Sequence, residues 1–245
     1  MYNPFSLEHK KILVTGASSG IGRGISIDTS KMGASLIVTA RNEERLKDTM
    51  SFLEGKDHSY VIADLSFEDD INRIVDSLPV IDGIVLSAGM IKTMPVKNIS
   101  SKAIDEIFDV NIISNIKLLS KLLKRKKLAH SASIVLISSV STFNVKVGNS
   151  LYSSTKGAMN SFAKAMALEV AKLKIRVNCI QPGFIPSNIL NKSEEDSMLR
   201  WYAERHPLGF GTPTDIANAC IYLLSDAAQW VTGSIFTIDG GYTLQ

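Results

Sequence analysis

Residues 11–22 read Lys-Ile-Leu-Val-Thr-Gly-Ala-Ser-Ser-Gly-Ile-Gly, a short apolar run followed by a turn that contains three glycines. The apolar run predicts a buried strand, and the spacing of apolar residues after Gly20 predicts a helix. Glycines that open a helix directly after a strand leave backbone N–H groups free to bind phosphate. The spacing of Gly16, Gly20 and Gly22 differs from G-x-G-x-x-G, so the strand–turn–helix context, more than the glycines alone, indicates a dinucleotide site.

The same alternation of strand and helix continues along the chain. Short runs rich in β-branched residues predict seven strands, at 11–15, 35–39, 59–63, 83–87, 133–138, 175–180 and 234–238. Helical periodicity lies between them, at 20–32, 43–54, 68–78, 103–128, 152–173 and 214–225. This order predicts an α/β protein, a single-domain Rossmann-type doubly wound fold with a seven-stranded parallel sheet flanked by helices.

Length and composition agree with one domain over residues 1–245, since 45% of the residues are hydrophobic and 21% are charged. The exception to the alternation is a long connection at about 187–213, with a short helix predicted at 193–204. A connection of this length in a compact domain predicts a substrate lid.

Charge and cysteine usage exclude several classes of protein. The net charge of +3 comes from 27 basic and 24 acidic residues, which indicates no nucleic-acid or membrane surface. Cys179 and Cys220 lie in apolar stretches and are predicted to be buried thiols. The four histidines are scattered, so no metal site is expected. With no signal-peptide core at the N-terminus and no membrane-length apolar run, we expect a cytoplasmic protein.

The end of the second predicted strand bears on cofactor choice. An acidic residue about 20 positions beyond the glycines hydrogen-bonds the ribose in NAD-binding folds, but Ala40-Arg41 stands there. The guanidinium can pair with a phosphate, which favours NADP(H) over NAD(H); alternatively, Arg41 is a solvated residue at a strand end. Asp64 suits a hydrogen bond to the adenine amino group, or the N-cap of a helix.

A second motif, Tyr152-Ser-Ser-Thr-Lys156, lies far downstream. Four residues make one helical turn, so the phenol and the ammonium project from one face. A nearby ammonium lowers the pKa of a tyrosine from about 10 toward working pH, which suits a general acid or base.

With Ser139 and the glycine turn, these residues resemble the short-chain dehydrogenase/reductase family over almost the entire chain. The resemblance implies that Tyr152 exchanges a proton with the substrate oxygen and that Lys156 holds the nicotinamide ribose and lowers the tyrosine pKa. It also implies that Ser139 hydrogen-bonds the carbonyl and that Asn111 supports a proton-relay water. Residues 182–185 resemble the segment whose backbone holds the nicotinamide amide.

The predicted cofactor-binding residues are Gly16, Ser18, Ser19, Gly20, Ile21, Gly22, Arg41, Asp64, Leu65, Ser87, Ala88, Gly89, Tyr152, Lys156, Pro182, Gly183, Ile185 and Ser187. Taken singly, each of three catalytic candidates also has a purely structural interpretation: Ser139 as a strand-end cap, Asn111 as an ordinary helix residue and Tyr152 as a core aromatic.

The chain departs from the family pattern at three places. Ser87 replaces a usual asparagine, which predicts a change in rigidity there. The run at 207–213 is one residue short and lacks its arginine, and Ser187 stands where a threonine is common. The first two departures are expected to alter the position of the lid.

Three loops are predicted to face the substrate, and their side chains are mostly apolar, which suits a hydrophobic carbonyl better than a sugar. They contribute Met90, Ile91 and Met94; Phe143, Val145 and Val147; and Met198, Leu199, Trp201 and Tyr202. The last thirty residues resemble those of 3-oxoacyl-acyl-carrier-protein reductases. A basic run could dock an acidic carrier protein or form a solvated helix end; it comprises Lys121, Lys124, Arg125, Lys126 and Lys127, with Lys172 and Lys174.

Three functions follow from these residues. The first is NADPH-dependent reduction of a hydrophobic or acyl ketone, in the manner of a 3-oxoacyl-acyl-carrier-protein reductase. The second is an NAD-dependent alcohol or sugar dehydrogenase, and the third is a non-catalytic dinucleotide-binding scaffold. The helices at 103–128 and 152–173 resemble those that pair family members, which implies a homodimer or homotetramer.

Overall fold

The computed structural model describes residues 2–186, 201 and 203–244. The strands are β1 (Lys11–Thr15), β2 (Ser35–Ala40), β3 (Ser59–Ile62), β4 (Ile81–Leu86), β5 (Leu128–Ile137), β6 (Arg176–Pro182) and β7 (Ile235–Ile238). The α-helices in these residues are α1 (Gly20–Lys31), α2 (Glu43–Met50), α3 (Glu68–Ser77), α4 (Ser101–Phe108), α5 (Ser114–Lys124), α6 (Ser150–Glu169) and α7 (Pro213–Leu224).

The strands form one seven-stranded parallel sheet in the order β3-β2-β1-β4-β5-β6-β7. The chain reverses its direction of winding between β1 and β4. At such a reversal the connections leave toward opposite sides, and a crevice opens at the carboxyl ends of the two strands. The predicted α/β fold is confirmed, and the crevice is where the motifs gather.

Helices cover both faces of the sheet, so the strands are buried on both sides. In β1, Leu13 packs into the layer that contains α3, α5 and α6, whereas Ile12 and Val14 pack into the layer of α1, α2 and α7. Successive strand side chains point to opposite faces. This explains why the strands read as continuous apolar runs rather than as an alternation of polar and apolar residues.

The single helix predicted at 103–128 is wrong. The structure divides this segment into α4, a π-helical turn (Asp109–Ile113) and α5, and it ends the helix at Lys124. A π turn inserts one extra residue per turn and is frequent at functional sites. Hydrophobic periodicity does not reveal it, because both flanking helices have a buried apolar face, that of α4 in a small cluster with Leu151 and that of α5 in the main core.

The fifth strand begins five residues earlier than predicted. Lys126 adopts a left-handed backbone conformation with φ of 52° and ends the helix, and the Ile81 N–H donates to the Lys127 carbonyl at 2.8 Å. Leu128 then pairs with Ile81, and an irregularity separates this pair from the regular ladder that starts at Gly83 and Ser133. Leu128 fits either a helix or a strand by its apolar character alone, so long-range pairing decided its conformation.

Other boundaries differ by a few residues. Helix α2 ends at Met50 rather than residue 54, and α6 starts at Ser150 and ends at Glu169, before a separate 3-10 turn. Cys179 and Cys220 are buried and free, as predicted. Most of the short helix predicted at 193–204 and most of the lid lie outside the described residues.

Within the described part of the chain, no α-helix has the length and apolar content needed to cross a bilayer. Nor do these residues contain a cluster of three or more His, Cys, Asp or Glu side chains arranged to hold a metal ion.

Candidate active site

The glycine turn joins β1 to α1 in a conformation that requires glycine. Gly16 and Gly20 have φ values of 68° and 51°, in the left-handed region. A Cβ atom on Gly22 would lie 2.3 Å from the Gly16 carbonyl oxygen, whereas one on Gly20 would meet nothing within 4 Å. The turn is therefore packed tightly against α1 on one side and open at Gly20.

The first turn of α1 is arranged to receive an anion. It carries no acidic residue, and the side chain of its N-cap, Ser19, makes no capping hydrogen bond. Ser18 and Ile21 are half-buried beside it, while Ser19 and Gly20 are exposed. The backbone N–H groups of a helix start and the positive end of its dipole favour a phosphate.

The ends of β1 and β4 are joined by one side chain. The hydroxyl oxygen of Thr15 accepts hydrogen bonds from the Ser87 and Ala88 N–H groups, each at 3.1 Å. A Cβ atom on Gly16 would come within 2.8 Å of the Ala88 Cα. Ser87, Ala88 and the exposed Gly89 thus form one wall of the crevice, directly beside the glycine turn.

Arg41 and Asp64 lie together at the ends of β2 and β3. Their Nη1 and Oδ2 atoms are 3.7 Å apart, and the Arg41 side chain is 75% exposed. Asp64 is not a helix N-cap, since Phe67 holds that position for α3. Its Oδ1 accepts from the Ser66 N–H at 3.0 Å. The next residue, Leu65, is buried.

A cavity of about 550 Å³ continues from Arg41 and Ser66 to Met90 and Val110. It connects the ends of β2 and β3 with the segment after β4. Its position along the carboxyl edge of the sheet is that expected of a nucleotide-binding crevice.

Asn111 lies in the π turn and is completely buried. Its Oδ1 accepts from the Met90 N–H at 2.8 Å, while its Nδ2 donates to the Met90 carbonyl at 2.9 Å and to the Thr155 hydroxyl at 3.1 Å. Its own carbonyl accepts from Asn115 Nδ2 at 2.8 Å. The side chain therefore ties the segment after β4 to helix α6.

Ser139 and Tyr152 lie near each other at the end of β5, close enough for the serine hydroxyl to lower the pKa of the tyrosine. Ser139 is also the N-cap of a 3-10 turn (Val140–Thr142), and its Oγ accepts from the Ser141 N–H at 3.1 Å. The serine is thus a strand-end cap as well as a partner of the tyrosine. Tyr152 packs beside a small apolar cluster that includes Leu151, Met90 and Met94.

Lys156 lies one turn further along α6 and is 5% exposed. Its Nζ donates to the Ile137 carbonyl at 2.8 Å and lies 5.7 Å from the centre of the Tyr152 ring. A Cβ atom on Gly89 would meet Lys156 Nζ at 3.6 Å and Asn111 Oδ1 at 3.3 Å. The structure thus brings the four residues predicted as catalytic, Asn111, Ser139, Tyr152 and Lys156, to one end of the crevice.

The pKa values of the pair differ from the expected pattern. Burial lowers the pKa of Lys156 from 10.5 to about 8. Burial also raises the pKa of Tyr152, and only the hydrogen bond from Ser139 opposes that rise. The expected lowering of the tyrosine pKa by the lysine is therefore not observed here, because the ammonium is directed at the Ile137 carbonyl and is itself dehydrated.

The segment after β6 closes the same end of the crevice. The Gly183 N–H donates to the Ile238 carbonyl at 2.9 Å, and a Cβ on Gly183 would lie 2.8 Å from the Asp239 Cα. Pro182 is buried, Ile185 is half-buried, and Ser187 lies outside the described residues. The Phe184 N–H donates to His206 Nε2 at 3.4 Å, and His206 stacks on Tyr242 with ring centres 4.6 Å apart.

A second cavity, of about 780 Å³, lies over the loop that joins Ser139 to α6. It is lined by Asn144, Val145, Lys146, Val147, Trp201, Glu204, Arg205 and Tyr242. Of the residues predicted to face substrate, Val145, Val147 and Trp201 are present, whereas Met198, Leu199 and Tyr202 lie outside the described residues. The expectation of an apolar wall is wrong for this cavity, because two basic residues and one acidic residue also line it.

Sequence patterns did not single out Lys146, Arg205, His206 or Tyr242. Lys146 occupies a loop between motifs, Arg205 and His206 directly follow the short helix predicted at 193–204, and Tyr242 becomes part of the site only through the return of the chain after β7. The one signal available in the sequence was that Lys146 lies between Val145 and Val147, which are both predicted to face the substrate.

Together, an anion-accepting helix start, a crevice at the sheet reversal and a neighbouring Ser139, Tyr152 and Lys156 define the class of dinucleotide-binding oxidoreductases. The residues fit a nicotinamide dinucleotide because the glycine turn is open at Gly20 and the α1 terminus is free of acidic side chains. Residues 16–243 match the family model described as Enoyl-(Acyl carrier protein) reductase. The chain belongs to the short-chain dehydrogenase/reductase family, whose members bind nicotinamide dinucleotides.

Similar proteins cover the whole chain. The 3-oxoacyl-[acyl-carrier-protein] reductase FabG of Rickettsia felis is 30% identical over 236 residues, which make up 96% of this chain and 97% of that protein. A short-chain type dehydrogenase/reductase from Mycobacterium ulcerans has a TM-score of 0.88 at 30% identity, covering 98% of this chain and 92% of that one. An Agrobacterium tumefaciens protein described as a 2-deoxy-D-gluconate 3-dehydrogenase, solved with bound NADP, has a TM-score of 0.88 at 31% identity and covers 100% of both chains.

Proposed function

We propose that this protein is an NADPH-dependent carbonyl reductase that converts a ketone to an alcohol. The observation that carries the proposal is the grouping of Ser139, Tyr152 and Lys156: the serine lies close enough to act on the pKa of the tyrosine, and the lysine is one helical turn away on the same helix. A hydroxyl donor, a proton donor and a buried cation are thus grouped at the end of the crevice. This is the set of groups that a carbonyl oxygen needs as negative charge develops on it.

When bound, the reduced nicotinamide supplies the hydride that attacks the carbonyl carbon. Tyr152 gives its phenolic proton to the carbonyl oxygen, so that one hydride and one proton produce the alcohol. Ser139 donates a hydrogen bond to the same oxygen and orients it. Lys156 contributes its positive charge near the tyrosine and offers its remaining N–H groups to the ribose hydroxyls.

Asn111 acts by position rather than by touching the reacting atoms. Its side chain holds Met90 and Thr155, and the Thr155 hydroxyl in turn donates to the Tyr152 carbonyl at 2.8 Å. The support of a relay water by Asn111 remains a proposal. In the described residues the Asn111 carbonyl already accepts a hydrogen bond from Asn115.

The choice of NADPH rests on Arg41 beside Ala40. A carboxylate at position 40 would repel the 2′-phosphate, whereas the exposed guanidinium can pair with it. Asp64 lies 3.7 Å from that guanidinium and would compete with the phosphate for it. The 3-oxoacyl reductase relatives and the gluconate-type neighbour point to different substrates. The gluconate-type neighbour was solved with bound NADP, which supports the choice of cofactor.

The first substrate class in the proposal is a hydrophobic or acyl ketone, as for the FabG relatives. The argument for carrier-protein docking at the basic run is weakened because three of its cations already have partners within the protein. Lys121 Nζ lies 2.8 Å from Glu68 Oε1, Arg125 pairs with Asp76, and Lys127 donates to the Leu78 carbonyl. Lys124 and Lys126, with Lys172 and Lys174, are the cations of this run that would remain for a carrier.

A second candidate is an alcohol or sugar dehydrogenase that works in the oxidative direction with NAD. The neighbour described as a gluconate-type dehydrogenase supports this substrate class, but not the use of NAD, since it was solved with bound NADP. The same residues would then run in reverse, with Tyr152 accepting the hydroxyl proton. A panel of ketones, alcohols and sugar acids assayed with each of NADPH, NADH, NADP and NAD separates the two candidates. Turnover of ketones with NADPH is expected, and absence of any turnover would leave the non-catalytic scaffold.

We also propose that residues 1–245 form one cytoplasmic domain that assembles as a homodimer or homotetramer. Exposed apolar residues on the helices predicted to pair the subunits support assembly. Ile113 in the π turn and Ile116 on α5 are each 37% exposed, and Leu168 on α6 is 81% exposed. Light scattering behind size-exclusion chromatography tests it. A mass of about twice or four times 26.7 kDa is expected, and a monomer at working concentration would contradict it.

A further inference from the structure

A buried threonine on α2 contacts the glycine turn that joins β1 to α1. The apolar face of α2 includes Leu46 and Met50, and Thr49 occupies a position on that face where its side chain is completely buried. A hydroxyl at such a position needs an acceptor, because burying it unpaired costs free energy. Thr49 Oγ1 donates to the Ala17 carbonyl at 2.9 Å and lies 3.1 Å from the Arg45 carbonyl.

Ala17 is held on both sides by one unit of the fold, strand β2 followed by helix α2. Its N–H donates to the Thr39 carbonyl at 3.2 Å, and its carbonyl accepts from Thr49. Ala17 is completely buried, and among the described residues the Thr49 hydroxyl is the one donor to that carbonyl. Arg41 lies between these two contacts along the chain. The unit that holds Ala17 therefore also carries the residue proposed to bind the 2′-phosphate.

The contact with the Ala17 carbonyl also fixes the direction of the next N–H group. The Ala17–Ser18 peptide bond is trans, so the Ala17 carbonyl and the Ser18 N–H point in opposite directions. Within the described part of the chain, the Ser18 N–H makes no hydrogen bond. Because the carbonyl is held toward α2, this free donor points away from that helix and is available to a ligand.

We propose that Thr49 is a positioning residue of the dinucleotide site, which orients the Ala17–Ser18 peptide so that the Ser18 N–H donates to a phosphate of the cofactor. Free N–H groups in a turn before a helix are typical phosphate donors. The glycines permit the shape of this turn, and the threonine hydroxyl selects one orientation of one peptide within it. This role concerns cofactor binding, which the family shares, and does not depend on the substrate or on the direction of the reaction.

Thr49→Val tests the proposal, because valine has a shape similar to threonine and lacks the hydroxyl. Without the hydrogen bond, the Ala17–Ser18 peptide must be ordered when the cofactor binds. The dissociation constant for NADPH should therefore rise by about two- to tenfold, the range for one neutral hydrogen bond. Thr49→Ser restores the hydroxyl and should bind NADPH as the wild type does. Isothermal titration calorimetry measures both variants, and an unchanged dissociation constant in Thr49→Val would overturn the proposal.

Thr29→Val is the matched control for a loss of stability. Thr29 is also completely buried, but its Oγ1 donates within its own helix, to the Ile25 carbonyl at 2.6 Å. Both valine variants lose a buried hydrogen bond and should unfold at a lower temperature than the wild type, whereas only Thr49→Val should bind the cofactor more weakly. Equal weakening in both variants would mean that affinity follows general stability, and it would reject the role of Thr49.

Two further measurements identify the phosphate and provide a test that needs no variant. NADH lacks the 2′-phosphate, so an equal rise of its dissociation constant in Thr49→Val assigns the Ser18 N–H to the pyrophosphate, whereas a rise for NADPH alone assigns it to the 2′-phosphate. In the wild-type protein, the amide proton resonance of Ser18 should move downfield when NADP binds. A Ser18 resonance that does not move would refute the proposal even if Thr49→Val fails to fold.

Discussion

The ammonium of Lys156 donates a 2.8 Å hydrogen bond to the carbonyl oxygen of Ile137, the last residue of β5. This bond fixes the cation beside Tyr152 and removes it almost completely from water, since Lys156 is 5% exposed. The group that serves the proposed chemistry therefore lowers the stability of the fold.

Lys156→Met tests that cost through its pH dependence. The folded-state pKa of about 8 is below the ordinary value of 10.5, so the unfolded chain binds the proton more tightly and wild-type stability rises between these values. Since one pKa unit corresponds to about 1.4 kcal/mol, we expect the difference in unfolding free energy between variant and wild type to change by about 2 kcal/mol from pH 7 to pH 10. Urea denaturation at both pH values measures it. For Lys172→Met the corresponding difference should stay constant, and a constant difference for Lys156→Met would contradict the argument.

Tyr152→Phe removes the proposed proton donor and keeps the ring. Because general acid catalysis contributes about 10²–10⁴ in rate, we expect kcat to fall by at least about that factor, with a much smaller loss of cofactor affinity from the missing phenolic hydroxyl. Ser139→Ala should lower kcat by about 10² or more through loss of a hydrogen bond to the developing oxyanion. Steady-state kinetics and quenching of NADPH fluorescence provide the two readouts. Tyr60→Phe, at an exposed tyrosine, is the control, and a Tyr152→Phe enzyme with normal turnover would refute the proposed mechanism.

Arg41→Ala tests the cofactor proposal. A charge-assisted hydrogen bond contributes about 1.5–3 kcal/mol, so the dissociation constant for NADPH should rise by about tenfold or more while that for NADH stays the same. Arg45→Ala, an exposed residue of α2, should change neither. Equal losses for NADPH and NADH in Arg41→Ala would mean that the guanidinium does not contact the 2′-phosphate.

Gly22→Ala tests the packing of the phosphate-binding turn. The added Cβ would lie 2.3 Å from the Gly16 carbonyl oxygen, so the turn must move and cofactor binding should weaken by about tenfold or more with a loss of about 1–3 kcal/mol in stability. Gly157→Ala is the matched control, because a Cβ there meets nothing within 4 Å and a helical glycine gains about 0.5–1 kcal/mol on replacement by alanine. Thermal unfolding with and without NADPH compares the two. A Gly22→Ala protein that binds cofactor normally would contradict the described packing.

The strands, the glycine turn and the Tyr152–Lys156 pair were predictable because each depends on local chemistry. A buried strand needs a short run of β-branched residues, as in β1, and a left-handed turn beside a close contact needs glycine, as at Gly16. Helical spacing alone put the phenol and the ammonium on one face of α6.

Three other features were decided only by tertiary structure. The π turn at Asn111 and the early start of β5 at Leu128 depend on hydrogen bonds to Met90 and Ile81, which are distant in sequence. The larger cavity brings Lys146 and Arg205, almost sixty residues apart, into contact with the same indole ring. Local sequence carries no information about which distant residue will share a cavity, because burial and charge at such a place are set by the packing of the whole chain. For the same reason the sequence determined that this protein has a dinucleotide-binding fold and that Tyr152 and Lys156 share one helix face, and only the folded structure brought Ser139 and Asn111 to the same end of the crevice.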